Sequence, residues 1–247
     1  MVDSLGWRKK FGVLVPSTNT SVQPEFDGMR PFGVTNHIVR IAISNIPLNN
    51  DDDFRRLIEL IVAAQDGALE SLMSCEPDHI VLGISAETFW DGLQKSRELK
   101  KNIETRTKLP VTMGSEACVE ALKLYGARRL GVVTPYQPVG DARVAGFLEE
   151  SGFEIGALTG LKCKSPVDIA KVTEAELKEA IIRVNSDDVD CILQVGTNLA
   201  MARLAGWAEL WLNKPVIAIN TAIYWNALRS AGVYEKMDGW GSLLLRH

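Results

Sequence analysis

Histidine, basic runs, paired cysteines and long apolar stretches are scarce or missing in this chain. There are three histidines in 247 residues. His37 adjoins Asn36 beside a strand-like run, His79 opens another, and His247 is terminal. None is placed for a Ser-His-Asp relay or a histidine-based metal site. The four cysteines, Cys75, Cys118, Cys163 and Cys191, form no C-x-x-C pair, which argues against a metal cage. No run of about 18 apolar residues occurs, so no membrane-spanning helix is expected. The first ten residues carry charges where a secretion signal would be apolar. The expectation is a cytoplasmic protein with reduced thiols. Net charge is −4, and Arg8-Lys9-Lys10 is the single basic cluster, which argues against nucleic acid or an anionic membrane as partner. Neither G-x-x-x-x-G-K-[ST] nor G-x-G-x-x-G is present, so no nucleotide cofactor is expected.

What is present is an ordinary globular composition, 46% hydrophobic and 23% charged, sufficient for a core without staples. Apolar runs of strand length alternate with helix-like segments. Strands are expected at 11–15, 38–43, 79–83 and 109–113, with helices at 54–74, 96–107 and 115–125, the last ended by Gly126. The second half repeats the course: strands at 129–133, from 153, at 191–195 and at 215–219, with helices at 139–151, 173–184, 199–212 and 221–230. Thr173 and Glu176 have the spacing of a capping box. Strand–helix alternation implies an α/β fold with parallel sheets flanked by helices.

The halves look duplicated. Gly12-Val13-Leu14-Val15-Pro16 corresponds to Gly131-Val132-Val133-Thr134-Pro135, and Leu109-Pro110-Val111 to Lys214-Pro215-Val216. We therefore expect two pseudo-symmetric lobes, 1–115 plus about 221–247 and 116–220, facing each other across a cleft. Ligands of parallel α/β sheets bind beyond the carboxyl ends of strands. Four stretches occupy such ends. Ser17, Thr18 and Asn19 follow Pro16 and form either a carboxylate pocket or an ordinary helix cap. Gly83, Ile84, Ser85, Ala86 and Glu87 follow the third strand. Ser85 is a candidate donor to a substrate oxygen, and Glu87 is either an acid/base or a first-turn acid favoured by the helix dipole. Thr134, Pro135 and Tyr136 present a phenol able to donate to an oxyanion, or one that only covers the strand end. Gly196, Thr197 and Asn198 mirror the Ser85 and Ser17–Asn19 loops.

No cysteine reads as a cleft nucleophile. Cys191 begins a strand at the unproductive end. Cys163 lies between Lys162 and Lys164, which would lower its pKa, and otherwise reads as a surface-loop thiol. Phe89, Trp90, Trp207 and Trp211 either line a pocket or belong to the core.

Val15-Pro16-Ser17-Thr18-Asn19-Thr20 resembles the opening motif of the maleate cis–trans isomerase and arylmalonate decarboxylase branch of the aspartate/glutamate racemase superfamily. Leu109-Pro110-Val111, Ala117, Glu120-Ala121-Leu122, Arg129 and Val133-Thr134-Pro135-Tyr136 are similar to the same branch. The resemblance implies a cofactor-independent, homo-oligomeric enzyme holding a small carboxylate between two lobes. It implies that Asn19 with Ser17 and Thr18 holds a carboxylate, that Gly83 to Ser85 forms one side of the pocket, and that Ser85 and Tyr136 donate to a carboxylate or enediolate oxygen. The branch places a cysteine after the middle strand of one or both lobes. Here those places read Gly83-Ile84-Ser85 and Val195-Gly196-Thr197, so both thiols are expected to be missing. The resulting expectation is an isomerase, decarboxylase or other lyase working through an enediolate-like intermediate with Ser85, Glu87 and Tyr136 as catalytic residues. Thr134, Gly196, Thr197 and Asn198 would bind substrate beside the Ser17–Asn19 loop. The alternative is a non-catalytic carboxylate-binding or sensing protein.

Overall fold

The computed structural model describes residues 2–247. Its first sheet is built from β1 (Lys9–Pro16), β2 (Val34–Ile41), β3 (His79–Leu82) and β4 (Val111–Met113), all parallel and ordered β2-β1-β3-β4. Its second is built from β5 (Arg129–Thr134), β6 (Glu154–Gly160), β7 (Cys191–Gln194) and β8 (Val216–Ala218), again parallel and ordered β6-β5-β7-β8. The two orders are the same when each half is counted from its own first strand, as the internal repeat requires. The helices are α1 (Val22–Gly28), α2 (Asp51–Met73), α3 (Ala86–Trp90), α4 (Gly92–Thr107), α5 (Gly114–Leu124), α6 (Pro138–Glu150), α7 (Glu174–Val184), α8 (Ala202–Leu212), α9 (Ile219–Ser230) and α10 (Ser242–Arg246). Among the described residues no helix is long and apolar enough to cross a membrane.

Central strands covered on both faces read as continuous apolar runs, and β1 and β3 do so. The edge strand β2 differs. It starts four residues before the expected 38–43 stretch and pairs with β1 from Lys9–Val34 to Pro16–Ile41. Its middle residues are only half-buried, so Thr35, Asn36 and His37 are tolerated there and hide the strand's start. The second lobe keeps closer to the sequence pattern. Thr173 and Glu176 form the reciprocal capping box at α7, although α8 begins at Ala202, three residues later than expected, after the turn that carries the 196–198 loop.

The helices tie the lobes together. α6 packs on α2, α3 and α4 of the first lobe, with Phe147 edge-on to Phe89 at 4.9 Å between ring centroids. α9 follows the last strand of the second sheet yet packs on β3, β4, α1 and α5. Its Tyr224 is fully buried against Phe26 and Phe11, at 4.9 and 5.9 Å. One contiguous apolar core therefore runs through both lobes.

Candidate active site

The carboxyl ends of β1, β3, β5 and β7 converge on one pocket that opens to solvent. Its floor is polar: Asn19, Ser85, Tyr136, Thr197 and Asn198. Its wall is apolar: Ile43, Leu48, Phe54, Leu57, Ile61, Ile84 and Ile169, with Pro16, Pro135 and Pro166. Thr18, Ala86 and Gly196 complete the lining, which holds no charged side chain, histidine or cysteine.

Most of the floor's hydrogen-bonding capacity is spent joining the lobes. The Asn19 carboxamide oxygen accepts from Ser21 N and Val22 N at the start of α1, while its Nδ2 donates to Thr197 Oγ1. Thr197 Oγ1 donates in turn to Gly83 O, and Thr197 N donates to Ser85 Oγ at 3.1 Å. The Asn198 side chain accepts from Thr20 N and donates to Thr18 O and Pro166 O. Asn19 thus serves the start of α1 and also lines the pocket. Gly196 lies at φ +121°, and a Cβ there would come within 2.5 Å of Pro135 Cδ, so the turn requires glycine.

Ser85 and Tyr136 come from different lobes and meet, Oγ to Oη, at 2.6 Å. Two hydroxyls sharing one hydrogen bond use one proton between them. Since Ser85 Oγ already accepts from Thr197 N, the other hydroxyl proton is the pair's free donor. Burial raises the Tyr136 pKa above its usual value, only partly offset by the bond to Ser85. The phenol therefore stays protonated and acts as a donor, not a base.

The other expected residues lie elsewhere. Ser17 is exposed, its hydroxyl donating to Ile43 O, outside the lining. Gly83 contributes its carbonyl to Thr197 but does not line the pocket. The Thr134 hydroxyl donates to Asp141, whose pKa burial raises to about 6. Glu87 sits in the first turn of α3 behind the lining, where Gln65 Nε2 donates to it at 3.3 Å and burial raises its pKa to about 7. Cys163 is buried, not a surface thiol, and desolvation, helped by the charges of Asp168 and Glu176, pushes it up to about 11. Cys118 and Cys191 are fully buried and raised further by the same cause. Phe89 is core, Trp90 stacks near Phe54, and Trp207 and Trp211 are about half exposed, so none of the four lines the pocket. Sequence reasoning missed the apolar wall. Phe54, Leu57 and Ile61 carry the signal, but helical spacing reads equally as core. Among the described residues no group of three or more His, Cys, Asp or Glu side chains is placed to hold a metal ion.

Known proteins share this sequence pattern and this fold. A family described as arylmalonate decarboxylase matches residues 11–244. A maleate isomerase of Alcaligenes faecalis is 23% identical over 95% of this chain and 96% of its own. A mutant Nocardia farcinica maleate cis–trans isomerase, solved with a covalently bound succinylcysteine intermediate, superposes with a TM-score of 0.87 at 20% identity, covering 97% of this chain and 99% of that one. A crystal structure of arylmalonate decarboxylase superposes with a TM-score of 0.75 at 23% identity, covering 95% and 98%.

Proposed function

Because the chain belongs to the arylmalonate decarboxylase family, we propose that its interlobe pocket is the active site of a cofactor-independent enzyme that decarboxylates a substituted malonate without a thiol. The observation that carries this reading is an uncharged lining that sets a few hydroxyl and amide side chains among mostly apolar ones. One carboxylate rests on the floor and accepts the free proton of the Ser85–Tyr136 pair. The substituent packs on Phe54, Leu57 and Ile61. The second carboxylate has no cation to hold it, so its charge is poorly solvated and its loss as neutral CO₂ is favoured. The electrons of the broken C–C bond pass into the retained carboxylate, giving an enediolate. Its oxygens carry more charge than the ground state does, so fixed donors bind it more strongly. A proton from water then adds to carbon and leaves hydroxide, which completes the balance. Water is the donor in this reading because no residue of the lining is an acid near neutrality.

A maleate isomerase reaction fits this pocket less well. Addition to the alkene requires a nucleophile such as a thiolate. The four cysteines lie outside the lining. The test is an NMR assay of phenylmalonate and maleate side by side. The expected result is phenylacetate from the first, no fumarate from the second, and indifference to iodoacetamide. Fumarate formation blocked by iodoacetamide would overturn the reading.

A further inference from the structure

Glu25 is a buried carboxyl outside the pocket that the chemistry above does not use. It lies on α1, and its two oxygens are satisfied by the second half of the chain. Oε1 accepts from Ala202 N at 2.9 Å, at the start of α8, and Oε2 accepts from Asn220 Nδ2 at 2.6 Å, on α9. The same Asn220 Nδ2 donates to Thr197 O at 2.9 Å. Thr197 is the residue whose N–H holds Ser85 Oγ. A path thus runs from Glu25 to the Ser85–Tyr136 pair, by hydrogen bonds through Asn220 to the Thr197 carbonyl, across the Thr197 backbone, and from the Thr197 N–H to Ser85, every member buried or nearly so. The groups that bear on Glu25 are the Arg203 guanidinium and Ala202 N–H of α8 and the Asn220 amide of α9.

We propose that ionised Glu25 is a positioning residue that, through Asn220, anchors the Thr197 carbonyl and so the backbone whose preceding N–H orients the Ser85–Tyr136 donor pair. An ionised carboxyl accepts on both oxygens, so it holds the Asn220 amide with its nitrogen facing both Glu25 and Thr197. A protonated carboxyl needs an acceptor. The nearest amide supplies one in Asn220 Oδ1, which is buried without a partner as the structure stands. Protonation therefore favours turning the amide over, and the turn takes Nδ2 away from Thr197 O. Glu25→Gln has one oxygen and one N–H₂ and imposes the same turned arrangement at every pH.

The role in turnover rests on the decarboxylase reading, whereas the relay itself does not, and the experiment separates them. In the free protein, ¹⁵N NMR of the Thr197 amide and the Asn220 side-chain amide is followed from about pH 5 to 9. Both are expected to shift together with a midpoint near 7, and both shifts are expected to vanish in Glu25→Gln. Absence of a shared titration in the wild type, or its survival in Glu25→Gln, overturns the relay whether or not any substrate is turned over. Where phenylmalonate is turned over, kcat should fall on the acid side with the same midpoint while KM changes little. Glu25→Gln should lower kcat roughly tenfold and remove that limb, and Glu25→Asp, which keeps the charge, should retain it. In an Asn220→Ala background Glu25→Gln should add no further loss. Additive losses in that cycle would show that Glu25 acts only through general stability and would overturn the positioning role.

Discussion

At the scale of single residues, the site turns on one hydroxyl proton. Ser85 and Tyr136 share a hydrogen bond of 2.6 Å, so the pair offers one free donor, and removing either oxygen changes the other's partner. Tyr136→Phe leaves Ser85 free to donate outward but removes the buried phenol. In steady-state assays it is expected to lower kcat by about 10²-fold, because the one remaining donor, the Ser85 hydroxyl, is no longer oriented by the phenol, with the fold intact by circular dichroism. Ser85, Tyr136, Thr197 and Asn198 were all legible as strand-end residues, because parallel sheets place ligands there. Glu25 was not. A glutamate in a short polar helix carries no sign of burial in the sequence, and its partners Asn220 and Ala202 lie 195 and 177 residues away. Glu87 was read as a cleft residue from its closeness to Ser85, but the helical turn of α3 carries it behind the lining, onto Gln65.

At the scale of elements, pattern gave the strands wherever both faces were covered and blurred at the edge. β2 is half-buried along its middle, so its polar residues broke the alternation by which a strand is recognised. The apolar wall was invisible for the converse reason: Phe54, Leu57 and Ile61 repeat at the spacing of any core-facing helix. The lobes are held by α6 against α2, α3 and α4, and the Phe89–Phe147 pair is its aromatic contact. Both rings are 1% exposed. Phe89→Ala is expected to cost about 3–5 kcal/mol by urea denaturation, from lost burial and the cavity left behind.

At the scale of the whole molecule, buried carboxyls set how stability varies with pH. Burial raises Glu25 and Glu87 from 4.5 to about 7, and Asp141 from 3.8 to about 6. A carboxyl whose pKa is higher folded than unfolded contributes stability in full below the unfolded value and loses it as pH rises through the folded one. Buried His79, lowered from 6.5 to about 4, works in the other direction and costs stability as pH falls through that window. Among these four groups the three carboxyls outweigh the one histidine, so together they favour the fold on the acid side of neutrality. Glu87 isolates the first effect, since burial is the sole cause of its shift. Glu87→Gln is expected to raise stability by about 1–2 kcal/mol at alkaline pH and by nearly nothing near pH 5, measured by denaturant unfolding at each pH.

The uncharged lining also governs how a substrate arrives. A protein of net charge −4 with no charged side chain in its pocket lining has no fixed cation there to draw in an anion. Its long-range field is mildly repulsive. Capture is then a matter of unaided diffusion and shedding hydration water. Added salt, by screening the repulsion, speeds the encounter where it would slow one guided by opposite charges.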